Sequence, residues 1–185
     1  MSRSSELQSL TVSEFIERGR AFCPVLAQHI KSHAVTWLLV IAMYMLIRAN
    51  YRLAINQTPS LPYNLFLIHL NDKVETGGLI AFKSHHIKPY TDGYIFVKRI
   101  VASAGGTVIK KRRDFVVGDR TLVGKEIGLS KKRLYPNDEL HEGKNTIQPG
   151  KYFVVGDHEY SLDSRYDLLG LVDESNVIGR AYPIF

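Results

Sequence analysis

Cysteine is almost absent from this sequence: Cys23 is the only one among 185 residues, so no intrachain disulfide can form. Everything after position 23 is free of thiols, which is compatible with an oxidising compartment. Internal repeats and low-complexity tracts are also missing, which excludes repeat architectures. Gly105-Gly106 has no phosphate-loop context and reads as a turn. His85-His86 has no partners at recognisable ligand spacing, so neither a metal nor another cofactor is expected. The sequence also lacks an uninterrupted apolar run of about 20 residues, the length that fills a bilayer core as a helix. The longest uncharged run is Ala34 to Ile47, AVTWLLVIAMYMLI, fourteen residues.

What is present is an ordinary globular composition, 45% apolar and 23% charged, which argues against wholesale disorder. The excess of 24 Lys+Arg over 18 Asp+Glu gives +6, a balance that suits work near anionic lipid and equally suits weak nucleic-acid binding. The run from Ala34 extends to Ser32 and Asn50 if His33, Arg48 and Asn50 reach the headgroups from its ends. Trp37 and Tyr51 stand near opposite ends, as interfacial aromatics do. Residues 34–50 are therefore expected to be a transmembrane anchor, with a buried core helix and a cleaved signal peptide as alternatives. Some thirty polar residues upstream, and no small-x-small site directly after the run, weigh against the signal peptide. The absence of a polar face weighs against the core helix. Arg18, Arg20 and Lys31 precede the run, while Arg48 and Arg52 follow it, so charge does not orient it.

Residues 1–33 read as a short polar head with an amphipathic helix capped by Thr11 or Ser13, Phe15, Ile16 and Phe22 sharing one side. Residues 51–185 are expected to form the β-rich domain, and from Ile55 onward the texture changes to short β-type runs separated by turn residues. Strands are predicted over Asn64–His69, Leu79–Lys83, Tyr94–Val101, Thr107–Lys110, Phe115–Val117, Tyr152–Val155 and Val177–Ala181. The expected fold class is mainly β, a single sheet-rich domain with one core.

Three separated segments carry polar chemistry. In Gln57-Thr58-Pro59-Ser60-Leu61-Pro62, two prolines restrict the backbone around Ser60, and a rigid serine lowers the entropic part of an attack barrier. In Tyr94–Val101 read as a strand, Lys98 shares a face with Tyr94, Phe96 and Ile100. Desolvation there would lower its pKa and free the neutral amine to act as a base. In Val155–Tyr166, Asp163 and Arg165 are close enough to pair, and Ser161 or Ser164 can support a neighbouring site. Each segment alone is also compatible with ordinary structure: a linker loop, a snorkelling lysine, and a solvated turn with a weak ion pair.

Taken together, Thr58-Pro59-Ser60, Tyr94–Val108 (YIFVKRIVASAGGTV) and Gly156-Asp157 with Ser161–Tyr166 resemble the signal peptidase I family, membrane-surface proteases with a Ser/Lys dyad. The resemblance covers about 150 residues from the apolar run onward. It implies a signal-peptidase-like β-sheet domain preceded by one transmembrane helix, with Ser60 as nucleophile and Lys98 as general base. It further implies an oxyanion hole from the Ser60 N–H and the Thr58 hydroxyl, with Ser161, Asp163 and Arg165 in support. The short head, the single anchor, the T-P-S-x-P form and the ending Val177–Pro183 look most like the conjugative-transfer (TraF-like) branch, which matures pilin precursors. That resemblance implies a precursor-protein substrate, a bilayer partner and no nucleic acid. It also places the chain in the cytoplasmic membrane, with the head in the cytoplasm and the catalytic domain outside. Ser60 follows Ile47 by 13 residues, and extended chain covers at most about 3.6 Å per residue. Leu61, Leu65, Phe66 and Leu67 are therefore expected to help the site dip into the interface.

Other readings remain open at this level. A housekeeping signal peptidase shares the dyad, although Leu61 stands where those enzymes usually have methionine. A repressor-type Ser/Lys autoprotease would need a DNA-reading module for which residues 1–33 are too short. A Ser-His-Asp triad would use His85 or His158. A non-enzymatic scaffold of a secretion or conjugation apparatus would use Lys110–Arg113 and Lys131–Arg133 to bind lipid or a partner, where otherwise these runs are solvated hairpin tips.

Overall fold

The computed structural model describes residues 24–83, 94–128 and 131–185. The proposed cap at Thr11 or Ser13, the residues Phe15, Ile16 and Phe22, and His85-His86 lie outside them. The chain divides into two compact units, Met1–Arg48 and Ala49–Phe185. In the first, α1 (Pro24–Ser32) and α2 (Ala34–Asn50) meet at an angle of 82°. No single described helix is long and apolar enough to cross a membrane; the bent pair taken together meets the requirement by length and composition only. None of the residues of α2 is buried.

Among the described residues the second unit has eleven strands: β1 (Tyr51–Ile55), β2 (Leu65–Leu70), β3 (Leu79–Lys83), β4 (Ile95–Ala102), β5 (Thr107–Lys111), β6 (Asp114–Val117), β7 (Arg120–Leu122), β8 (Gly143–Thr146), β9 (Lys151–Val155), β10 (Val172–Asp173) and β11 (Val177–Pro183). They form an antiparallel seven-stranded sheet, ordered β1-β2-β11-β3-β4-β9-β10, and a four-stranded sheet, β7-β6-β5-β8. Every strand predicted from sequence is present, with ends shifted by a residue or two. Tyr51 opens β1 and stacks on His69 at 4.7 Å, so it is part of the sheet rather than the end of an apolar helix.

Alternation along β3 and β4 explains how the large sheet buries both faces. Leu79 and Ala81 join Phe66, Ile68, Ala181, Ile95 and Val97 in one cluster, while Ile80 and Phe82 join Phe96, Ile100 and Val154 on the other side. A strand buried on both faces reads as a continuous apolar run, as Leu79–Phe82 does. Side chains such as Phe66, Phe82 and Phe153, all at most 2% exposed, each contribute about 1.5–3 kcal/mol by leaving water. A third cluster, from Ala102 and Val108 to Phe115 and Phe153, binds the two sheets together. Gly77 (φ 90°) and Gly105 (φ 79°) make the left-handed turns that lead into β3 and β5, where a side chain would strain the backbone.

One expectation fails here and another holds in part. Leu61 and Phe66 are core residues, 4% and 1% exposed, and so do not form an interfacial surface. Lys111 and Arg112 are exposed at the β5–β6 hairpin turn as expected, but Lys110 and Arg113 of the same run are not solvated. Lys110 Nζ donates to the Asn137 and Leu140 carbonyls at 2.7 and 2.9 Å, and Arg113 donates to the Leu134 and Lys125 carbonyls at 2.6 and 3.0 Å. Both cations satisfy backbone groups of the 124–140 segment, which otherwise has little regular structure of its own.

Candidate active site

Lys98 is held by β4. Its neighbours on that face are Phe96 and Ile100, and its cross-strand partner is Ile80, all within one apolar cluster. Only 2% of Lys98 is exposed. Removing an ammonium from water disfavours its charge, and this burial holds the Lys98 amine down at about 8. Asp163 restores part of the proton affinity, Arg165 opposes it, and Asp157 restores a little more. The amine donates to Ser161 Oγ at 2.7 Å.

Ser60 lies in the 56–64 loop between β1 and β2, which Asn56 organises from within. Its Nδ2 donates to the Leu61 and Tyr63 carbonyls at 3.1 and 2.7 Å, and its Oδ1 accepts the Thr58 N–H at 3.2 Å. The Ser60 carbonyl accepts the Asp157 and His158 N–H groups at 2.8 and 3.2 Å, which fastens the loop to the segment after β9. The Ser60 and Thr58 hydroxyls share a hydrogen bond of 2.7 Å. Ser60 and Lys98 both line a cavity of about 450 Å³, together with Thr58 and Ser161. Among the described residues no hydrogen bond joins Lys98 directly to Ser60.

The segment after β9 is a buried polar network rather than a solvated turn. Asp163 and Arg165 form a two-point ion pair, Nε–Oδ1 at 2.8 Å and Nη2–Oδ2 at 2.9 Å, with side-chain exposures of 0% and 5%. Arg165 also donates to the carbonyls of Val123, Glu159 and Ser161. Asp163 Oδ2 accepts the Gly156 N–H at 3.0 Å. With its charges paired and its remaining donors used, such a unit avoids the penalty of an uncompensated buried charge. Ser164 turns away from the cavity and bonds β9 through the Val154 N–H at 3.0 Å. Between the two serines offered by sequence, it is Ser161 that reaches the amine.

Gly156 is required by close approach. A Cβ there would collide with Ser161 Oγ and lie 2.9 Å from the Ser60 carbonyl, so only glycine lets the Ser60 loop and the Ser161 segment meet. His158 lines the cavity, but its Nδ1 accepts the Tyr160 N–H at 3.2 Å, while the Ser60 hydroxyl bonds Thr58. Among the described residues His158 makes no triad with Ser60, and His85 lies outside them. No group of three or more His, Cys, Asp or Glu side chains suited to a metal occurs among the described residues.

This geometry sits in a segment whose similarity to known proteins is clear. The family model for signal peptidase, peptidase S26, matches residues 26–185. The chain belongs to that family. That family comprises signal-peptidase-type serine endopeptidases and is membrane-associated. A signal peptidase I from Pseudomonas aeruginosa is 32% identical over 122 residues, covering 49% of this chain and 43% of that protein. A signal peptidase I from Bacillus amyloliquefaciens is 25% identical over 148 residues, covering 78% of this chain and 69% of the relative. This chain therefore spans less than half the length of the Pseudomonas relative. A solved signal peptidase I from Enterococcus faecalis V583 aligns with TM-score 0.35 at 25% identity, covering 59% of this chain and 97% of that structure.

Within this S26 member, three site features escaped sequence reasoning. Asn56 had no assigned role. Arg99 and Asp157, 58 residues apart, form a two-point pair at 3.1 and 2.9 Å, which ties the strand carrying Lys98 to the segment gripping the Ser60 carbonyl. Gly156 had no assigned role. The lysine-arginine pair on β4 was the available signal for Arg99, since an alternating strand turns Arg99 away from Lys98 and toward a different partner.

Proposed function

We propose that this chain is a membrane-anchored serine endopeptidase that cleaves exported precursor proteins with a Ser60–Lys98 dyad. The observation that carries the reading is a lysine buried in an apolar face, its amine held down at about 8 and aimed at Ser161, in the same cavity as a proline-flanked serine. A cavity of this size fits a short peptide segment.

On this reading Ser60 Oγ leaves its bond with Thr58, attacks the scissile carbonyl carbon and passes its proton to neutral Lys98 Nζ. The tetrahedral oxyanion is held by the Ser60 N–H and the Thr58 hydroxyl, a contribution of about 3 kcal/mol per preorganised donor. Collapse expels the leaving amine, which takes the proton back from Lys98. Neutral Lys98 then removes a proton from water, whose oxygen attacks the acyl carbon, and Ser60 Oγ leaves with that proton from Lys98, restoring both groups. Ser161 fixes the direction of the amine, and the Asp163–Arg165 pair holds the Ser161 segment in place.

Residues 1–33 are the cytoplasmic head, residues 34–50 the anchor, and residues 51–185 the catalytic domain on the outer face of the cytoplasmic membrane. Full exposure of the apolar helix α2 within the chain supports the anchor, because such a surface needs lipid or a partner to cover it. The substrate is a conjugative pilin precursor, matured by cleavage with either hydrolysis or cyclisation of the acyl-enzyme; the T-P-S-x-P form of 58–62 and the ending Val177–Pro183 support this client. A housekeeping signal peptidase is the second reading, favoured by the likeness to the two bacterial signal peptidases I. Mass spectrometry of a candidate pilin, produced with and without this protein, separates them. A shortened or cyclised pilin favours the first, and a pilin left intact while general signal peptides are cut favours the second.

A further inference from the structure

The cavity holding Ser60 and Lys98 has no aspartate or glutamate in its lining among the described residues, yet Lys132 and His158 reach its wall. Of the acids beside His158 and Ser161, Asp157 pairs with Arg99, Glu159 with Lys125 at 2.7 Å, and Asp163 with Arg165, while the exposed Glu126 and Asp167 lie outside the lining. Lys132 is exposed and enters no ion pair among the described residues. The basic run Lys131–Arg133 thus contributes a cation to the cavity that the proposed peptidase chemistry does not use.

Its backbone is held in place. The Gly128 N–H donates to the Lys132 carbonyl and the Lys131 N–H to the Gly128 carbonyl, both at 3.0 Å. Ile127 bridges Arg133, and Leu134, 6% exposed, fixes the next position with its N–H on the Glu126 carbonyl at 2.8 Å. A cation positioned at a cavity wall that includes Leu53, Ile55 and Leu134 is less screened than one on open surface. A peptide bringing only apolar and neutral groups leaves it without a counter-charge, whereas one bringing a carboxylate pairs with it.

We propose that Lys132 is a specificity-determining residue, selecting an acidic side chain in the peptide segment that the cavity receives. This rests on the peptidase reading and adds the substrate's charge to it. Because the pair forms at a solvent-accessible wall, its effect is a preference of about 3- to 10-fold rather than an absolute requirement. It enters through binding, so KM moves and kcat does not.

The test uses the purified full-length chain and quenched-fluorescence peptides in which one glutamate is scanned along a neutral apolar frame, each compared with its glutamine twin. Binding of the same peptides to the Ser60→Ala protein is measured by anisotropy. The expected result is a glutamate preference at one position, smaller at high salt, close to unity in Lys132→Gln and reversed toward a lysine-bearing peptide in Lys132→Glu. Equal cleavage and binding of the twins at every position would overturn the proposal while leaving the peptidase reading intact. Glutamate-selective binding without any cleavage would instead sink the peptidase reading alone. A charge effect seen only with anionic vesicles, and equal for both twins, would assign Lys132 to a lipid headgroup and also overturn it.

Discussion

Replacing Lys98 by methionine removes an amine that burial holds at about 8 instead of 10.5, and two properties of the protein should then move in opposite directions. Below pH 8 the lysine is charged in both folded and unfolded chains, so the folded state bears the full cost of an ammonium kept from water. At about 1.4 kcal/mol per tenfold in proton affinity, that cost is roughly 3 kcal/mol. Between pH 8 and 10.5 the folded lysine sheds its proton while the unfolded one keeps it, and the cost fades. Methionine bears no such cost and fills a similar volume, but it strips Ser161 Oγ of a partner at 2.7 Å, a loss of about 1 kcal/mol. Lys98→Met should therefore be more stable than wild type by about 2 kcal/mol near pH 7 and slightly less stable above pH 10.5, while being inactive. Urea unfolding followed by circular dichroism at several pH values reads the difference directly, and groups common to both proteins cancel. A stability gap that stays constant from pH 7 to 10.5 would refute the claim that Lys98 is desolvated.

The same amine governs the pH profile. If neutral Lys98 is the base, kcat/KM should fall on acidification through about 8, reaching about one-hundredth of its plateau near pH 6; a flat profile over that range would exclude Lys98. Asp163→Asn leaves the Arg165 guanidinium buried with half its pairing gone, and should destabilise the fold by roughly 3–5 kcal/mol as measured by denaturant midpoint. Gly156→Ala pushes Ser161 and the Ser60 carbonyl apart, so kcat should fall about 100-fold in a protein whose circular dichroism still shows the folded sheet.

How far the molecule could be read in advance depended on range. Leu79–Lys83, Tyr94–Val101 and Val177–Ala181 announced themselves by apolar alternation or runs between turn residues. β1 did not, because Tyr51–Ile55 directly continues an apolar run and looks like its tail. Arg120–Leu122 and Gly143–Thr146 are short polar edge strands whose place is set by pairing with β6 and β5, and Val172–Asp173 is two residues long. Ser60, Lys98, Ser161, Asp163 and Arg165 could be named as candidates because their three segments occur together in the family's order, although each segment alone also fits ordinary structure. Asn56, Gly156, the Arg99–Asp157 pair and the position of Lys132 were not, since their meaning arises only when distant segments meet. Leu61 and Phe66 were misplaced for a related reason: a run of apolar residues beside a site says nothing about which way the loop folds.

The most direct test of the dyad is processing of a precursor by the purified full-length protein, followed by mass spectrometry, for wild type, Ser60→Ala and Lys98→Arg. The account predicts a single defined cleavage with wild type and none with either variant. Wild-type processing by either variant would contradict it.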